Sequence, residues 1–222
     1  MKKGIIITID GPSGAGKGTV ARIVASKLGL NYMDTGAMYR AVALLVKRSL
    51  IDYDDEDELR KLLLEIHIAF ENNSDNNLRI LLNREDVTDK LRDPEMSTLS
   101  SNLATKRSVR TTLKGIQRRM GIKSNIIAEG RDMGTYVFPD ADFKFYLDAT
   151  LNERAKRRWQ QLRESGIEVE LEDVKNEIEK RDRQDTERQD SPLHPASNAV
   201  IIDTTNLKIE EVVEKITSIV RI

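Results

Sequence analysis

A run of small residues at positions 11–19, Gly-Pro-Ser-Gly-Ala-Gly-Lys-Gly-Thr, most constrains how this chain can fold. It follows a β-branched run, residues 5–10, that is typical of a strand buried on both faces of a parallel sheet. It precedes apolar residues at helical spacing over residues 19–28, with Gly29 placed to end the helix. Strand, glycine-rich turn and helix together predict the opening of a βαβ unit.

This turn, called the phosphate loop below, has the composition of a phosphate-binding segment. Small residues let successive backbone N–H groups point at phosphate oxygens, and the following helix adds its positive N-terminal end. Lys17 supplies a mobile cation for the β- and γ-phosphates of a nucleotide. A glycine-rich turn without a ligand is the alternative, and the position between strand and helix argues against it. The predicted nucleotide contacts are Gly11, Pro12, Ser13, Gly14, Ala15, Gly16, Lys17, Gly18 and Thr19.

The end of the phosphate loop departs from the common pattern, in which a hydroxyl residue directly follows the lysine and helps to hold Mg²⁺. Here Gly18 occupies that position and the hydroxyl comes one residue later, at Thr19. Thr19 is therefore a predicted metal contact, either direct or through water.

The rest of the chain alternates strand and helix patterns. Strands are predicted at residues 126–128, 143–147 and 199–202, and helices at residues 37–47, 96–103, 109–120, 151–164, 171–188 and 209–220. This alternation is typical of an α/β fold whose parallel sheet is flanked by helices.

Two short strand patterns, residues 67–71 and 78–82, flank an asparagine-rich turn at residues 72–77. They predict an antiparallel hairpin within an inserted subdomain, residues 64–100. Residues 187–195 are polar, contain proline and are predicted to form a loop.

Composition excludes several classes of protein. The 222 residues contain 36 Lys and Arg against 37 Asp and Glu, so no global basic charge favours a nucleic acid polymer. There is no cysteine, which excludes disulfides and thiolate chemistry, and two histidines are too few to suggest a zinc site. No signal peptide or membrane-spanning stretch is evident, so a cytoplasmic location is expected.

Two short polar segments are candidates for gripping a second substrate. Thr35 and Arg40 could bind an anion at a helix start, although a capping threonine and a solvated arginine explain them better in isolation. Arg131 and Asp132 lie just beyond the strand at residues 126–128, at the sheet edge where open parallel sheets bind ligands. A surface ion pair in a turn explains this second pair equally well.

Two basic helix faces complete the candidate set. Arg181, Asp185 and Arg188 share one face, and a second face carries Arg154, Arg157 and Arg158. Most such faces are solvated surface, which is the favoured interpretation of each in isolation. Beside a phosphate loop they instead suit a transferring phosphoryl group, whose charge arginines neutralise.

Four segments together resemble the bacterial-type cytidylate kinases, a branch of the nucleoside monophosphate kinases. They are residues 9–19, 34–40, 129–141 and 181–188, so the resemblance covers nearly the whole chain. The family resemblance implies a P-loop kinase core over residues 1–63 and 101–222, a monophosphate-binding insertion at residues 64–100, and a short helical lid at residues 151–170. The chain has threonine at position 35, where the family often has serine, so the hydroxyl survives.

The resemblance also implies roles for individual residues. Arg154, Arg157 and the phosphate loop would contact ATP, and Lys17, Arg131, Arg158 and Arg188 would be catalytic. Thr19 and Glu129 would help to hold the metal, directly or through water. The acceptor CMP would meet Ser13, Thr35, Arg40, Ser101, Arg110, Arg131, Asp132, Arg181, Asp185 and Arg188.

The implied reaction transfers the γ-phosphoryl group of ATP, with Mg²⁺, to CMP and dCMP. The implied enzyme is a monomer that binds small nucleotides and neither nucleic acid polymers nor membranes. Another small-molecule P-loop kinase is the nearest rival. A GTPase switch is disfavoured because the chain contains no Asn-Lys dipeptide, which the guanine-reading Asn-Lys-x-Asp pattern requires.

Overall fold

A computed structural model describes residues 4–72, 78–122 and 124–221. The chain divides into two units, Met1–Met33 with Gly121–Ile222, and Asp34–Met120. They are called the sheet unit and the helical unit below.

Eight strands and eight helices form in the described residues. The strands are β1 (Ile6–Asp10), β2 (Asn31–Asp34), β3 (Ile68–Asn72), β4 (Leu78–Leu82), β5 (Glu85–Asp86), β6 (Ile126–Gly130), β7 (Phe143–Asp148) and β8 (Val200–Asp203). The helices are α1 (Lys17–Leu28), α2 (Thr35–Ser49), α3 (Glu56–Leu64), α4 (Pro94–Leu103), α5 (Arg107–Ile122), α6 (Leu151–Glu164), α7 (Leu171–Glu187) and α8 (Ile209–Ile219). A short 3₁₀-helix covers Lys90–Arg92 and a π-helical turn covers Met133–Val137.

The sheet unit is built on a five-stranded sheet in the order β2-β6-β1-β7-β8. The central strand β1 pairs in parallel with β6 and β7, and β7 pairs in parallel with β8. Every residue of β1 is buried, because it has a strand on each side and helices against its faces. This explains the β-branched run and confirms the predicted α/β fold with a parallel core.

The core of the sheet unit joins β1, β7, α1 and α8. It includes Ile7, Ile9, Val24, Phe145 and Val213, each at most 1% exposed. These side chains fix α1 against the sheet, and α1 begins at Lys17. The phosphate loop is thereby held between two buried elements.

Glycine has a conformational role at the start of the phosphate loop and at the end of α1. A Cβ on Gly11, whose φ is 145°, would lie 2.0 Å from the carbonyl oxygen of Leu147. Gly29, with φ of 65°, ends α1 and donates its N–H to the carbonyl oxygen of Ala25, as predicted from the sequence.

The helical unit contains α2 to α4, most of α5, and a three-stranded sheet in the order β3-β4-β5. Antiparallel pairing of β3 with β4, with Ile68 opposite Leu82, confirms the predicted hairpin. Residues 73–77 of its asparagine-rich turn lie outside the described residues. Helix α3 and strand β5 were not predicted. The proposed insertion limits, residues 64–100, stay a prediction, and α4 continues past residue 100.

Helices α6 and α7 form a hairpin with a small apolar core of its own. Ala155, Val174 and Ile178 are buried there, and Trp159 packs against them while its indole N–H donates to the carbonyl oxygen of Val169 at 2.9 Å. This segment includes the predicted lid. Among the described residues, no helix combines the length and apolarity needed to cross a membrane.

Candidate active site

Lys17 is buried inside the phosphate loop at the start of α1. Its ammonium donates to the carbonyl oxygen of Pro12 at 2.6 Å. Burial, together with the nearby Arg131 guanidinium, lowers the pKa of Lys17 to about 7, against the opposing effect of the carboxylates of Glu129 and Asp10. A phosphate placed in this loop would stabilise the charged form of the lysine.

The side chain of Arg154 contacts the backbone of the phosphate loop. From the first turn of α6 its Nε donates to the carbonyl oxygen of Ala149 at 2.9 Å, and its Nη1 donates to that of Ser13 at 3.0 Å. Nη1 also pairs with Oδ2 of Asp182 at 2.5 Å, and the other oxygen of Asp182 accepts the N–H of Ser13 at 3.4 Å. The buried Arg154 thus fastens α6 and α7 to the loop, and a direct contact with ATP stays a prediction.

Arg157 is also engaged within the protein. Its Nη1 and Nη2 donate to the side-chain and carbonyl oxygens of Thr204 at 3.1 and 2.7 Å, and its Nε pairs with Glu153 at 2.9 Å. Thr204 is buried and directs its hydroxyl to the carbonyl oxygens of Asp148 and Ala15. Arg157 therefore supports the connection between β8 and the phosphate loop.

Arg158 differs from its two neighbours in sequence. It is half-buried, and within the part of the chain that the structure describes it makes no hydrogen bond or ion pair. Its positive charge is felt by Arg181, whose pKa is lowered by burial and by repulsion from Arg131 and Arg158. Closely spaced cations of this kind favour a bound anion.

Asp185 on α7 links the two segments that carry the other predicted catalytic arginines. Its Oδ2 accepts from Nε of Arg131 at 2.8 Å and its Oδ1 from Nη1 of Arg188 at 3.3 Å. Burial raises the pKa of Asp185, but Arg131 and Arg188 outweigh it and hold the pKa below its usual range. Arg188 is further fixed by donating Nε to the carbonyl oxygen of Ser191 at 2.7 Å.

Asp132 lies in the same cluster. It is 4% exposed, and its Oδ1 lies 4.0 Å from Nη2 of Arg188. Arg131 and Asp132 are therefore not a surface ion pair in a turn, which was the equally weighted alternative. Both direct their side chains toward the residues of α7 and its end.

The side chain of Glu129 lies close to Gly18, the glycine that occupies the position where phosphate loops commonly have a hydroxyl residue. A Cβ on Gly18 would lie 3.3 Å from the hydroxyl of Tyr32 and 3.6 Å from Oε1 of Glu129, so the carboxylate of Glu129, one of the two predicted metal contacts, lies beside the residue that precedes Thr19. No three His, Cys, Asp or Glu side chains gather as a metal site within residues 4–72, 78–122 and 124–221. The two predicted contacts, Thr19 and Glu129, would supply few ligands, which suits Mg²⁺ because this ion takes most of its ligands from nucleotide phosphates and water.

The helical unit carries the remaining predicted acceptor residues on three helices. Asp34 caps α2 by accepting the N–H of Ala37 at 2.8 Å, so Thr35 is not the capping residue that the alternative interpretation required. Arg40 faces Oδ2 of Asp34 at 3.4 Å.

The other two residues of this set lie on α4 and α5. Arg110 of α5 is buried and donates Nη1 to the hydroxyl of Tyr39 and the carbonyl oxygen of Ala104, both at 3.4 Å. Ser101 is half-buried in the last turn of α4. Arg110 thereby connects the start of α5 to α2 within the helical unit.

Asp10 is a buried residue at this sheet edge whose position the sequence patterns did not reveal. Its Oδ1 accepts the N–H of Met133 at 2.8 Å and its Oδ2 that of Gly134 at 2.7 Å. Burial raises the pKa of Asp10 to about 6, against the lowering effect of these two hydrogen bonds. An acidic residue at the end of a β-branched run that is predicted to be buried is the one signal that could have marked it.

The sequence profile of one protein family, described as cytidylate kinase, matches residues 7–222. The chain belongs to the cytidylate kinase family. A cytidylate kinase of Geobacter sulfurreducens is 45% identical over 220 residues, which cover 99% of this chain and 94% of the relative. A cytidylate kinase of Clostridioides difficile is 44% identical over 214 residues, which cover 96% of this chain and 97% of the relative.

A solved structure shows a similar fold at low sequence identity. An uncharacterized protein from Eubacterium ventriosum superposes with a TM-score of 0.54 at 11% identity, over 97% of each chain. That similarity concerns the fold alone. The predicted family is confirmed by the sequence relatives.

Proposed function

We propose that this cytidylate kinase family member transfers the γ-phosphoryl group of ATP to CMP and dCMP, which yields ADP with CDP or dCDP. One observation carries the proposal. The phosphate loop follows the end of β1 and Arg131 follows the end of β6, and these two strands are paired with Asp10 opposite Gly130. Donor-phosphate and arginine groups thus share one carboxyl edge of a parallel sheet, where such sheets bind ligands.

The chemistry requires charge neutralisation more than proton transfer. The second pKa of a phosphomonoester is about 6, so the attacking oxygen of CMP is already mostly ionised near neutral pH. The proposed catalytic residues are Lys17, Arg131, Arg158 and Arg188, which would neutralise charge spread over the transferred group. Asp185 holds two of these arginines in place.

Mg²⁺ is proposed as the cofactor, with Thr19 and Glu129 as contacts that are either direct or through water. Bound Mg²⁺ would polarise the donor phosphates. The side chain of Glu129 beside Gly18 supports this position.

The acceptor is proposed to bind the residues that the family resemblance implies. They are Ser13, Thr35, Arg40, Ser101, Arg110, Arg131, Asp132, Arg181, Asp185 and Arg188. Residues 64–100 are proposed as the monophosphate-binding insertion and residues 151–170 as the lid. We further propose a cytoplasmic monomer whose partners are small nucleotides.

The choice of base provides a first test. A buried carboxylate such as Asp132 accepts a hydrogen bond from the exocyclic amine of cytosine, whereas uracil presents a carbonyl there. An unpaired buried polar group costs about 1–3 kcal/mol, so CMP and dCMP should exceed UMP in kcat/KM by roughly 5- to 150-fold. A coupled ADP-release assay over AMP, CMP, dCMP, UMP, dTMP and GMP measures this ratio.

Asp132→Asn is the matched variant for the base test. It keeps the shape of the side chain and offers an amide donor to uracil, so the CMP-to-UMP ratio should fall toward one. Faster phosphorylation of AMP or UMP than of CMP by the wild type would refute the assignment of the cytosine site.

The lowered pKa of Lys17 predicts proton uptake on ATP binding. Without nucleotide its pKa is about 7, so the lysine is mostly neutral at pH 8. Bound phosphates favour the charged form and raise the pKa, so binding at pH 8 should take up about one proton, and binding at pH 6 little from this group. Calorimetric titration in two buffers of different ionisation enthalpy measures the uptake. Lys17→Met should abolish it, and ATP binding without uptake at pH 8 would contradict the prediction.

A further inference from the structure

We propose that Asp10 is a positioning residue, which holds the turn carrying Arg131 and Asp132 against the end of the phosphate-loop strand. The inference rests on the proposed function, because Arg131 and Asp132 are assigned there to phosphoryl transfer and base recognition. It adds that the donor loop and the acceptor turn are joined through one carboxylate.

The geometry of the link is specific. Asp10 is the last residue of β1, directly before Gly11, and both of its oxygens are used. Oδ1 accepts the N–H of Met133 at 2.8 Å and Oδ2 accepts that of Gly134 at 2.7 Å. These two residues begin the π-helical turn that directly follows Asp132.

The turn is fixed from its other side by its own backbone. The carbonyl oxygen of Asp132 accepts the N–H groups of Tyr136 and Val137 at 2.9 and 3.1 Å. The backbone of Asp132 is therefore set by the π-helical turn, and the position of that turn is set by Asp10. A displacement of about 1 Å in such a segment can cost on the order of 100-fold in rate.

The absence of a side chain at Gly134 allows its N–H to come within 2.7 Å of Oδ2 of Asp10. A Cβ at this position would lie 2.9 Å from Oγ1 of Thr8 and 3.2 Å from Oδ2 of Asp10. A side chain here would push the turn away from β1. Gly134→Ala therefore disturbs the link while leaving the charge of Asp10 in place.

A neutral residue would be cheaper to bury than a carboxylate at this point. Asp132 adds repulsion, whereas Lys17 and the two backbone N–H groups favour the charged form. Asparagine cannot substitute, because it has one acceptor oxygen and its amide group would face a backbone N–H. The charged form is thus the one that can accept from both N–H groups at once.

The test compares Asp10→Asn and Gly134→Ala with Thr8→Val. Thr8 lies two residues before Asp10 on the same face of β1, and its buried hydroxyl has no hydrogen-bond partner among the described residues. Steady-state kinetics give KM separately for CMP and ATP, kcat, and the CMP-to-UMP ratio of kcat/KM. Thermal melting reports the fold of each variant.

Both link variants should raise KM for CMP by about 10-fold and lower the CMP-to-UMP ratio, while KM for ATP changes by less than about threefold. Thr8→Val should resemble the wild type in every measurement. The double variant Asp10→Asn/Gly134→Ala should lose no more than the more severe single one, since both act on one link. The shared effect of Gly134→Ala excludes an explanation through the charge of Lys17.

Several results would overturn the role of Asp10. One is a wild type that phosphorylates CMP together with folded Asp10→Asn and Gly134→Ala variants whose KM for CMP and CMP-to-UMP ratio of kcat/KM are unchanged. Another is a loss of CMP binding and base preference in Asp10→Asn that a folded Gly134→Ala does not share, because both variants act on the same link. If Asp10→Asn does not fold, Gly134→Ala alone decides by the same criteria. Absence of CMP turnover in the wild type would instead refute the proposed function, and the Asp10 role with it.

Discussion

Replacing Lys17 with methionine is expected to reduce kcat by about 10²- to 10³-fold while leaving the fold intact. The ammonium is the cation placed inside the phosphate loop, where it donates to the carbonyl oxygen of Pro12. Its loss removes charge neutralisation at the donor phosphates. The burial that lowers the pKa of Lys17 to about 7 disfavours its charged form, so a neutral side chain of similar length should maintain or raise the melting temperature.

Lys27→Met provides the matched control for this change. Lys27 is an exposed residue in the last turn of the same helix, so its replacement should leave both kcat and melting temperature close to wild type. Steady-state kinetics and thermal melting of the two variants together separate catalysis from stability. Wild-type turnover by Lys17→Met would refute the role proposed for the lysine.

Asp185→Asn is expected to have the largest effect on stability. The variant keeps the volume of the side chain but removes the negative charge that pairs with Arg131 and Arg188. Removing one partner from a buried ion pair lowers the free energy of unfolding by about 3–5 kcal/mol. Displacement of the two arginines should lower kcat/KM as well. Urea unfolding at pH 7.5 and initial-rate kinetics measure the two effects.

The pH dependence of this loss has a defined sign. Asp185 has a lowered pKa in the folded protein, so its stabilising effect is present above the unfolded pKa of about 3.9 and is lost as the pH falls through the folded value. The stability difference between wild type and Asp185→Asn should therefore narrow in acid. Glu179→Gln, at an exposed position on the same helix, is the control. An equal loss of unfolding free energy in Asp185→Asn and Glu179→Gln would contradict the stabilising role of the pairing between Asp185 and the two arginines.

The sequence predicted the phosphate loop and its surroundings because that information is local. A buried strand, a glycine-rich turn and a helix follow one another over residues 5–29, and each is marked by its own residues. The hairpin of β3 and β4 was predictable for the same reason. Strand β5 was not, because two charged residues, Glu85 and Asp86, carry no alternating pattern.

The role of Asp10 could not be predicted from local pattern. Its hydrogen-bond partners, Met133 and Gly134, lie 123 and 124 residues away along the chain. Nothing near Asp10 in the sequence indicates which backbone groups will be brought to it. Only the pairing of β1 with β6 creates the contact.

The arginine face of α6 shows a second limit of sequence reasoning. The spacing of Arg154, Arg157 and Arg158 predicts that they share one face of the helix. It does not predict which acceptor each guanidinium group will bind. The structure gives Arg154 and Arg157 backbone carbonyl and carboxylate partners within the protein. Arg158 has no such partner among the described residues, and its spacing from Arg154 and Arg157 gave no sign of that difference.

The order of strands in the sheet has a consequence for how the chain is made. Strand β1 is synthesised first, yet its two neighbours, β6 and β7, begin at Ile126 and Phe143. At about 5–20 residues per second, a ribosome takes roughly 6–24 s to add the 120 or so residues that intervene. Throughout that interval β1, every residue of which is buried in the folded protein, has been made without its partner strands and is a natural substrate for a chaperone. The phosphate loop that follows it gains its two flanking strands only after β7 has been made.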